Sequence, residues 1–186
     1  MNTYIALFRG INVGGNSLLP MKELVADLQN IGCRSVQTYI QSGNAVFASP
    51  EADASRLADA IRSEIRRRHG FEPYILLLSL AELGQAMAQN PFPEAEANPQ
   101  VLHLGFLAVQ PSNPDLPGLA RIKADSERFQ LIGRVFYLFA PEGVGRSKLA
   151  AGAEKLLGVV MTDRNWRSVC AIAGLAGKLA AQEDFE

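Results

Sequence analysis

The first half of the chain switches between short apolar runs and longer stretches in which apolar residues recur every three or four positions. Short runs of this kind predict strands, and the longer period predicts amphipathic helices. Gly32 and Gly70 follow the two helical stretches, where glycine often ends a helix. The predicted strands are 4–8, 35–40, 44–48 and 74–78, and the predicted helices are 20–31 and 53–68. This order, β-α-β-β-α-β, is the ferredoxin-like one.

The second half repeats this order with weaker signals. Two sheets covered by helices indicate an α+β fold, here with two ferredoxin-like (βαββαβ) subdomains related by duplication, a linking helix and an extra C-terminal helix. That last helix is expected to run from Arg164 to about Ala181, with Thr162 as its N-cap. The predicted parts are a first subdomain (1–79), a linking helix and proline-containing linker (80–100), a second subdomain (101–162), and a C-terminal helix with an acidic tail (163–186).

Composition indicates an ordinary globular protein, with 186 residues, 48% hydrophobic residues and a formal charge of −1. A charge so close to zero gives no overall attraction to nucleic acid or to a membrane. Lys and Arg are nevertheless in excess between positions 121 and 178. No apolar run approaches the ~20 residues that a membrane span needs. We therefore expect a soluble, cytoplasmic protein that is locally basic in its second half.

The stretch Arg9-Gly-Ile-Asn-Val-Gly-Gly-Asn16 joins the first strand to the first helix. Glycines allow close approach of a ligand to the backbone, and a helix start offers free N–H groups. The predicted ligands of an anion are Arg9, Asn12 and the backbone at Gly14 and Gly15. The spacing matches neither a dinucleotide fingerprint nor a P-loop. In the alternative interpretation, the glycines only turn the chain and Arg9 pairs with an acid.

Further polar side chains stand in turns and at predicted helix starts. Turn geometry alone favours Ser, Gly and Asn, so a hairpin turn could be purely structural. A cation at a helix start is disfavoured by the helix dipole, so such a cation makes better sense if an anion binds there. A solvated basic turn, or a tryptophan that only anchors the core, remain the alternatives. The residues concerned are Gln41, Ser42 and Asn44 in the hairpin, and Ser147, Lys148, Arg164, Asn165 and Trp166 in the second half. Arg146 is a further cation beside Lys148 at the same predicted helix start.

Metal and catalytic sites are not indicated. His69 and His103 have no nearby His, Cys or Asp at a metal-ligand spacing, so neither a metal nor a cofactor is predicted. Among the motif residues, Asp163 and Glu142 are the candidates for a general base, and neither has a second acid beside it. The catalytic residues, if any, stay unknown, because the polar residues are typical of a binding site.

Several motifs in fixed order resemble the domain-of-unknown-function family 1697. They are Arg9-Gly-Ile-Asn-Val-Gly-Gly, Tyr39-Ile-Gln-Ser-Gly-Asn44, Asn90-Pro91-Phe92, Ser147-Lys148 and Thr162-x-Arg164-Asn165-Trp166, within a resemblance that extends from Thr3 to Lys178. The resemblance implies a bacterial cytosolic protein with two related α+β subdomains. It implies no activity.

The leading hypothesis is a protein that binds an anionic small molecule, phosphorylated or nucleotide-like, with or without a reaction. Both halves would contribute, which requires their loops to face each other. The first alternative is RNA binding by the basic second half, with Phe136, Tyr137 and Phe139 as stacking residues. The second is an oligomeric assembly module without a ligand. The sequence does not indicate the oligomeric state.

Overall fold

A computed structural model describes residues 1–13 and 17–183. The chain forms two compact units. The first comprises Met1–Gly84 together with the segment from Cys170 onward, and the second comprises Gln85–Val169. Both boundaries fall inside helices, α3 (Leu80–Ala88) and α6 (Trp166–Glu183). None of the helices in the described part of the chain is long and apolar enough to cross a membrane.

The elements of the first unit are β1 (Asn2–Arg9), α1 (Met21–Asn30), β2 (Arg34–Tyr39), β3 (Asn44–Ser49), α2 (Ala54–His69) and β4 (Tyr74–Ser79). The strands form a four-stranded antiparallel sheet in the order β2-β3-β1-β4. Buried residues of the sheet, among them Phe8 and Phe47, pack with Leu24 of α1 and Ile61 of α2. These helix positions are part of the apolar stripes that the period of the sequence predicts.

The second unit repeats the arrangement with β5 (Leu102–Leu107), α4 (Leu116–Ile122), β6 (Arg128–Ile132), β7 (Val135–Phe139), α5 (Lys148–Leu157) and β8 (Met161–Asn165). Its sheet has the strand order β6-β7-β5-β8. Phe136 and Leu138 of the sheet belong to a core with Leu119 of α4 and Leu149 of α5. The expected α+β class with two similar ferredoxin-like subdomains is confirmed.

The predicted start of the last helix is wrong. Thr162 and Arg164 lie in strand β8, and α6 begins at Trp166. Asn165 caps this helix, because its Oδ1 accepts the N–H of Ser168 at 2.9 Å. The difference arises from pairing with β5, which extends β8 from Met161 through Asn165. This long-range pairing overrides the local preference of Thr for an N-cap position.

Gly43 is required where the β2–β3 turn packs against the end of β1. Its φ is +79°, and a Cβ there would lie 2.7 Å from both Ile11 Cδ1 and Phe8 Cβ. We expect Gly43→Ala to lower the free energy of unfolding by about 2–5 kcal/mol, from left-handed backbone strain together with overpacking. Urea titration followed by circular dichroism measures this loss.

Gly70 supplies the matched control. It has nearly the same φ, +78°, but nothing lies within 4 Å of a Cβ at that position. Gly70→Ala should therefore show the backbone strain alone, about 1–2 kcal/mol. Equal losses in the two variants would contradict the close packing of the turn against β1.

Candidate functional site

Asn12 fastens the loop after β1 to the hairpin turn of the first unit. Its Nδ2 donates to the carbonyl oxygens of Leu19 at 2.8 Å and Gln41 at 2.9 Å. Its Oδ1 accepts the N–H of Leu19 at 2.8 Å. Both hydrogens of the side-chain amide are thus already used by the main chain, at a residue whose φ is 57°. This side chain holds two loops together, and its role toward an anion stays a prediction.

The hairpin turn is also built by internal hydrogen bonds. Asn44 is fully buried and donates from Nδ2 to the Tyr39 carbonyl and to Ser42 Oγ, both at 3.1 Å. The Phe8 N–H of β1 donates to the carbonyl of Gly43 at 2.8 Å. The side chain of Gln41 is exposed beside this turn. The structure therefore brings Asn12 and the hairpin together.

Two of the predicted ligand positions, Gly14 and Gly15, lie outside the described residues. Arg9 is the last residue of β1 and is exposed. It directly follows Phe8, so it lies at the same end of the sheet as the hairpin turn. An anion role of Arg9 remains a prediction.

A groove of about 850 Å³ lies in the second unit, at the start of α5. We call it the α5 groove, and it is lined by residues 121–124, 126–127, 142–143 and 145–148. Ser147 is the N-cap of α5, since its Oγ accepts the N–H of Ala150 at 2.9 Å. Lys148 is the first residue of the helix. Two of the predicted site residues, Ser147 and Lys148, therefore line one groove.

Positive charge predominates in the α5 groove. Four cationic side chains and two carboxylates line it; the cationic residues are Arg121, Lys123, Arg146 and Lys148. Arg121 is 3.7 Å from Asp115, and Lys123 Nζ is 3.4 Å from a carbonyl. The exposed side chains of Arg146 and Lys148 form no ion pair with any described residue. Within the described part of the chain, these two cations at the start of a helix therefore have no ion-pair partner.

The other predicted residues of the second half do not line the α5 groove. Trp166 is buried, as the core-anchor alternative anticipated. Asn165 is the cap of α6. Arg164 is half-buried in β8, and its Nη1 donates to the Asp163 carbonyl at 2.7 Å. Burial lowers the pKa of Arg164 to about 10, so the guanidinium keeps its charge at neutral pH.

His103 and Asp163 form a pair that the local sequence did not indicate. His103 Nδ1 is 2.7 Å from Asp163 Oδ2, and Nε2 is 3.2 Å from the Gln100 carbonyl. Burial by itself lowers the pKa of His103, but the hydrogen bond and charge of Asp163 outweigh it, so its pKa is raised above the ordinary 6.5. Both ring nitrogens face acceptors, which favours the doubly protonated ring. The pair ties the edge strand β8 to β5.

Three charged residues of the groove were missing from the candidates named from the sequence: Arg121, Lys123 and Glu127. The available signal was the excess of Lys and Arg between positions 121 and 178. Nothing in the spacing indicated which of these side chains would meet. The described residues contain no group of three or more His, Cys, Asp or Glu side chains that could hold a metal ion.

The aromatic residues named for RNA stacking are poorly placed for it. Phe136 is 1% exposed and Tyr137 is fully buried. Tyr137 donates its hydroxyl to the Ala86 carbonyl at 2.7 Å, and burial raises its pKa to about 12. The Phe139 ring lies 4.5 Å from the guanidinium carbon of Arg128. Base stacking needs exposed ring faces, which Phe136 and Tyr137 lack.

The chain belongs to the family described as "Protein of unknown function (DUF1697)", which matches residues 1–137. It is also similar to a solved structure, that of the conserved bacterial protein SP0830 from Streptococcus pneumoniae. The two are 23% identical, with a TM-score of 0.66 over 94% of this chain and 98% of that one. This likeness shows a shared fold. No curated protein matches the chain.

The His103–Asp163 pair predicts a dependence of stability on pH. The folded-state pKa of His103 is raised, so its contribution is complete below about pH 6.5 and is lost as the pH rises through the folded value. Asp163→Asn removes the charge and should lower the free energy of unfolding more at pH 5.5 than at pH 8.5. Urea titrations of both proteins at the two pH values measure the difference.

Proton NMR separates this effect from other titrations. The chain has two histidines, so His69→Gln leaves a single ring signal that belongs to His103. That signal should titrate at a lower pH after Asp163→Asn. An unchanged midpoint would show that Asp163 does not determine the protonation of His103.

Proposed function

We propose that this protein binds a phosphate-bearing small molecule in the α5 groove. The observation that carries the proposal is the pair of cations, Arg146 and Lys148, which line the groove and form no ion pair with any described residue. Phosphate is a strong acceptor of charge-assisted hydrogen bonds from Lys and Arg. A phosphorylated metabolite or a nucleotide would supply the missing negative charge.

The backbone at the start of α5 supports the same proposal. Ser147 satisfies the N–H of Ala150, and the Ser147 carbonyl accepts the N–H of Ala151 at 3.1 Å. No described residue accepts the N–H groups of Lys148 and Leu149. Free N–H groups at a helix start, together with the positive end of the dipole, favour an anion. The α5 groove thus offers backbone donors and side-chain cations side by side.

The volume of the groove suits a small metabolite. Its volume of about 850 Å³ lies within the ordinary range for ligand pockets. RNA binding is less well supported, because two of the three named aromatic rings are buried.

The decisive test removes one cation from each end of α5. Lys148 is at the start of the helix in the groove, and Lys155 is exposed in its last turn, outside the lining. Lys148→Ala should weaken binding of inorganic phosphate and of a sugar phosphate about tenfold, the loss of one charge-assisted hydrogen bond. Lys155→Ala should leave the affinity unchanged. Isothermal titration calorimetry measures both, with the uncharged sugar as a blank.

The same two variants should change stability in opposite directions. Removing the Lys148 charge relieves an unfavourable interaction with the helix dipole, so the unfolding free energy should rise by a few tenths of a kcal/mol. Lys155→Ala should lower it by a similar amount.

In the binding experiment, equal loss of phosphate affinity in both variants would contradict a site at the start of α5. If short oligonucleotides bind and the phosphate compounds do not, RNA binding is favoured instead.

A further inference from the structure

Glu127 places an almost buried carboxylate on the wall of the α5 groove. The residue is 5% exposed and lines the groove. Its Oε2 accepts the N–H of Ala124 at 2.8 Å, and its own N–H donates to the Ala124 carbonyl at 3.0 Å. These reciprocal bonds hold the side chain against the turn before β6. Its position is therefore fixed before any ligand arrives.

The second carboxylate oxygen of Glu127, Oε1, accepts no hydrogen bond from residues 1–13 or 17–183. Within that same part of the chain, one side-chain nitrogen or oxygen atom both lacks a hydrogen-bond partner and is fully shielded from solvent, and it is Thr162 Oγ1 rather than an atom of Glu127. Glu127 Oε1 therefore keeps contact with solvent, and the space that Glu127 lines is the groove. An acceptor on a nearly buried carboxylate is costly to leave unpaired once water is displaced.

We infer that the ligand of the α5 groove is an amino-substituted phosphate ester, whose phosphate lies at the start of α5 and whose ammonium group donates to Glu127 Oε1. This inference rests on the proposed function. A phosphate without a donor would displace water from Glu127 and leave a charged acceptor unpaired. The carboxylate thus selects against simple phosphates, while the cations select for the phosphate group.

Glu142 is the other carboxylate of the groove. It is exposed, and its Oε1 accepts the hydroxyl of Ser126 at 2.8 Å. Solvent screens an exposed charge, so such a charge contributes little to discrimination. Glu127, with 5% exposure, is the carboxylate that a bound ligand would cut off from water. The selectivity is therefore assigned to Glu127.

The test compares two series of compounds that differ in one group. Terminally aminated alkyl phosphates and plain alkyl phosphates of matching, increasing length are titrated into the full chain by calorimetry. At the length that spans the groove, the aminated compound should bind at least about tenfold more tightly, as expected for a charge-assisted hydrogen bond. Equal affinities at every length would overturn the inference.

Glu127→Gln is the matched variant, because its amide oxygen can still accept the N–H of Ala124 while an NH₂ group replaces the open oxygen. It should abolish the advantage of the aminated series. Inorganic phosphate should still bind, and somewhat more tightly, because the variant removes a negative charge from the groove; this retained binding also shows that the groove is intact. Glu142→Gln should keep the advantage. An advantage that survives Glu127→Gln, or disappears in Glu142→Gln, would overturn the assignment to Glu127.

The outcome separates the inference from the proposed function. If inorganic phosphate and plain alkyl phosphates bind and lose affinity in Lys148→Ala, while the aminated series gains nothing, the phosphate site stands and the amino-group contact is refuted. If no phosphate compound binds at all, the proposed function fails, and the inference fails with it.

Discussion

The antiparallel pairing of β8 with β5 determines how the second unit uses its polar residues. Gly105 stands opposite Asp163, and a Cβ at Gly105 would lie 2.3 Å from Met161 Sδ. The strands therefore meet in this register because Gly105 leaves room for the methionine side chain. The register brings Asp163 to His103 and sends Arg164 to the opposite face, since side chains alternate along a strand. The residues of the motif 162–166, although contiguous in sequence, therefore have different structural roles.

Most of the fold could be predicted because its helices and strands carry their own periodicity. Leu24, Ile61 and their neighbours repeat at helical spacing and pack as that spacing requires. The prediction failed at Thr162, where a local N-cap preference competed with pairing to a strand some 60 residues earlier. His103 and Asp163 are separated in the same way, by 60 positions. Local sequence patterns do not indicate contacts between residues that are so far apart along the chain.

The candidate residues differ in how completely the protein itself uses them. The amide of Asn12 makes three hydrogen bonds to main-chain atoms, and that of Asn44 makes two within its own turn. The side chain of Lys148 makes none to a described residue. The sequence could identify all of them as polar residues near glycines. It could not show which of these side chains are already bonded within the protein and which are left for a ligand. The division depends on which main-chain groups the folded loops leave without partners.

Helix α5 has residues that stabilise it at its C-terminal end and charges that destabilise it at its N-terminal end. Its last turn carries Lys155 and ends at Gly158 in the left-handed conformation, both of which favour the helix. Its first residue is Lys148, and Arg146 lies two positions earlier. Acidic residues at these positions would make the helix more stable. The unfavourable end is the end that opens on the groove. An anion there would convert the mutual repulsion of the two cations and the dipole into attraction. The charges that weaken the free helix are thus the ones that would give the bound ligand its affinity.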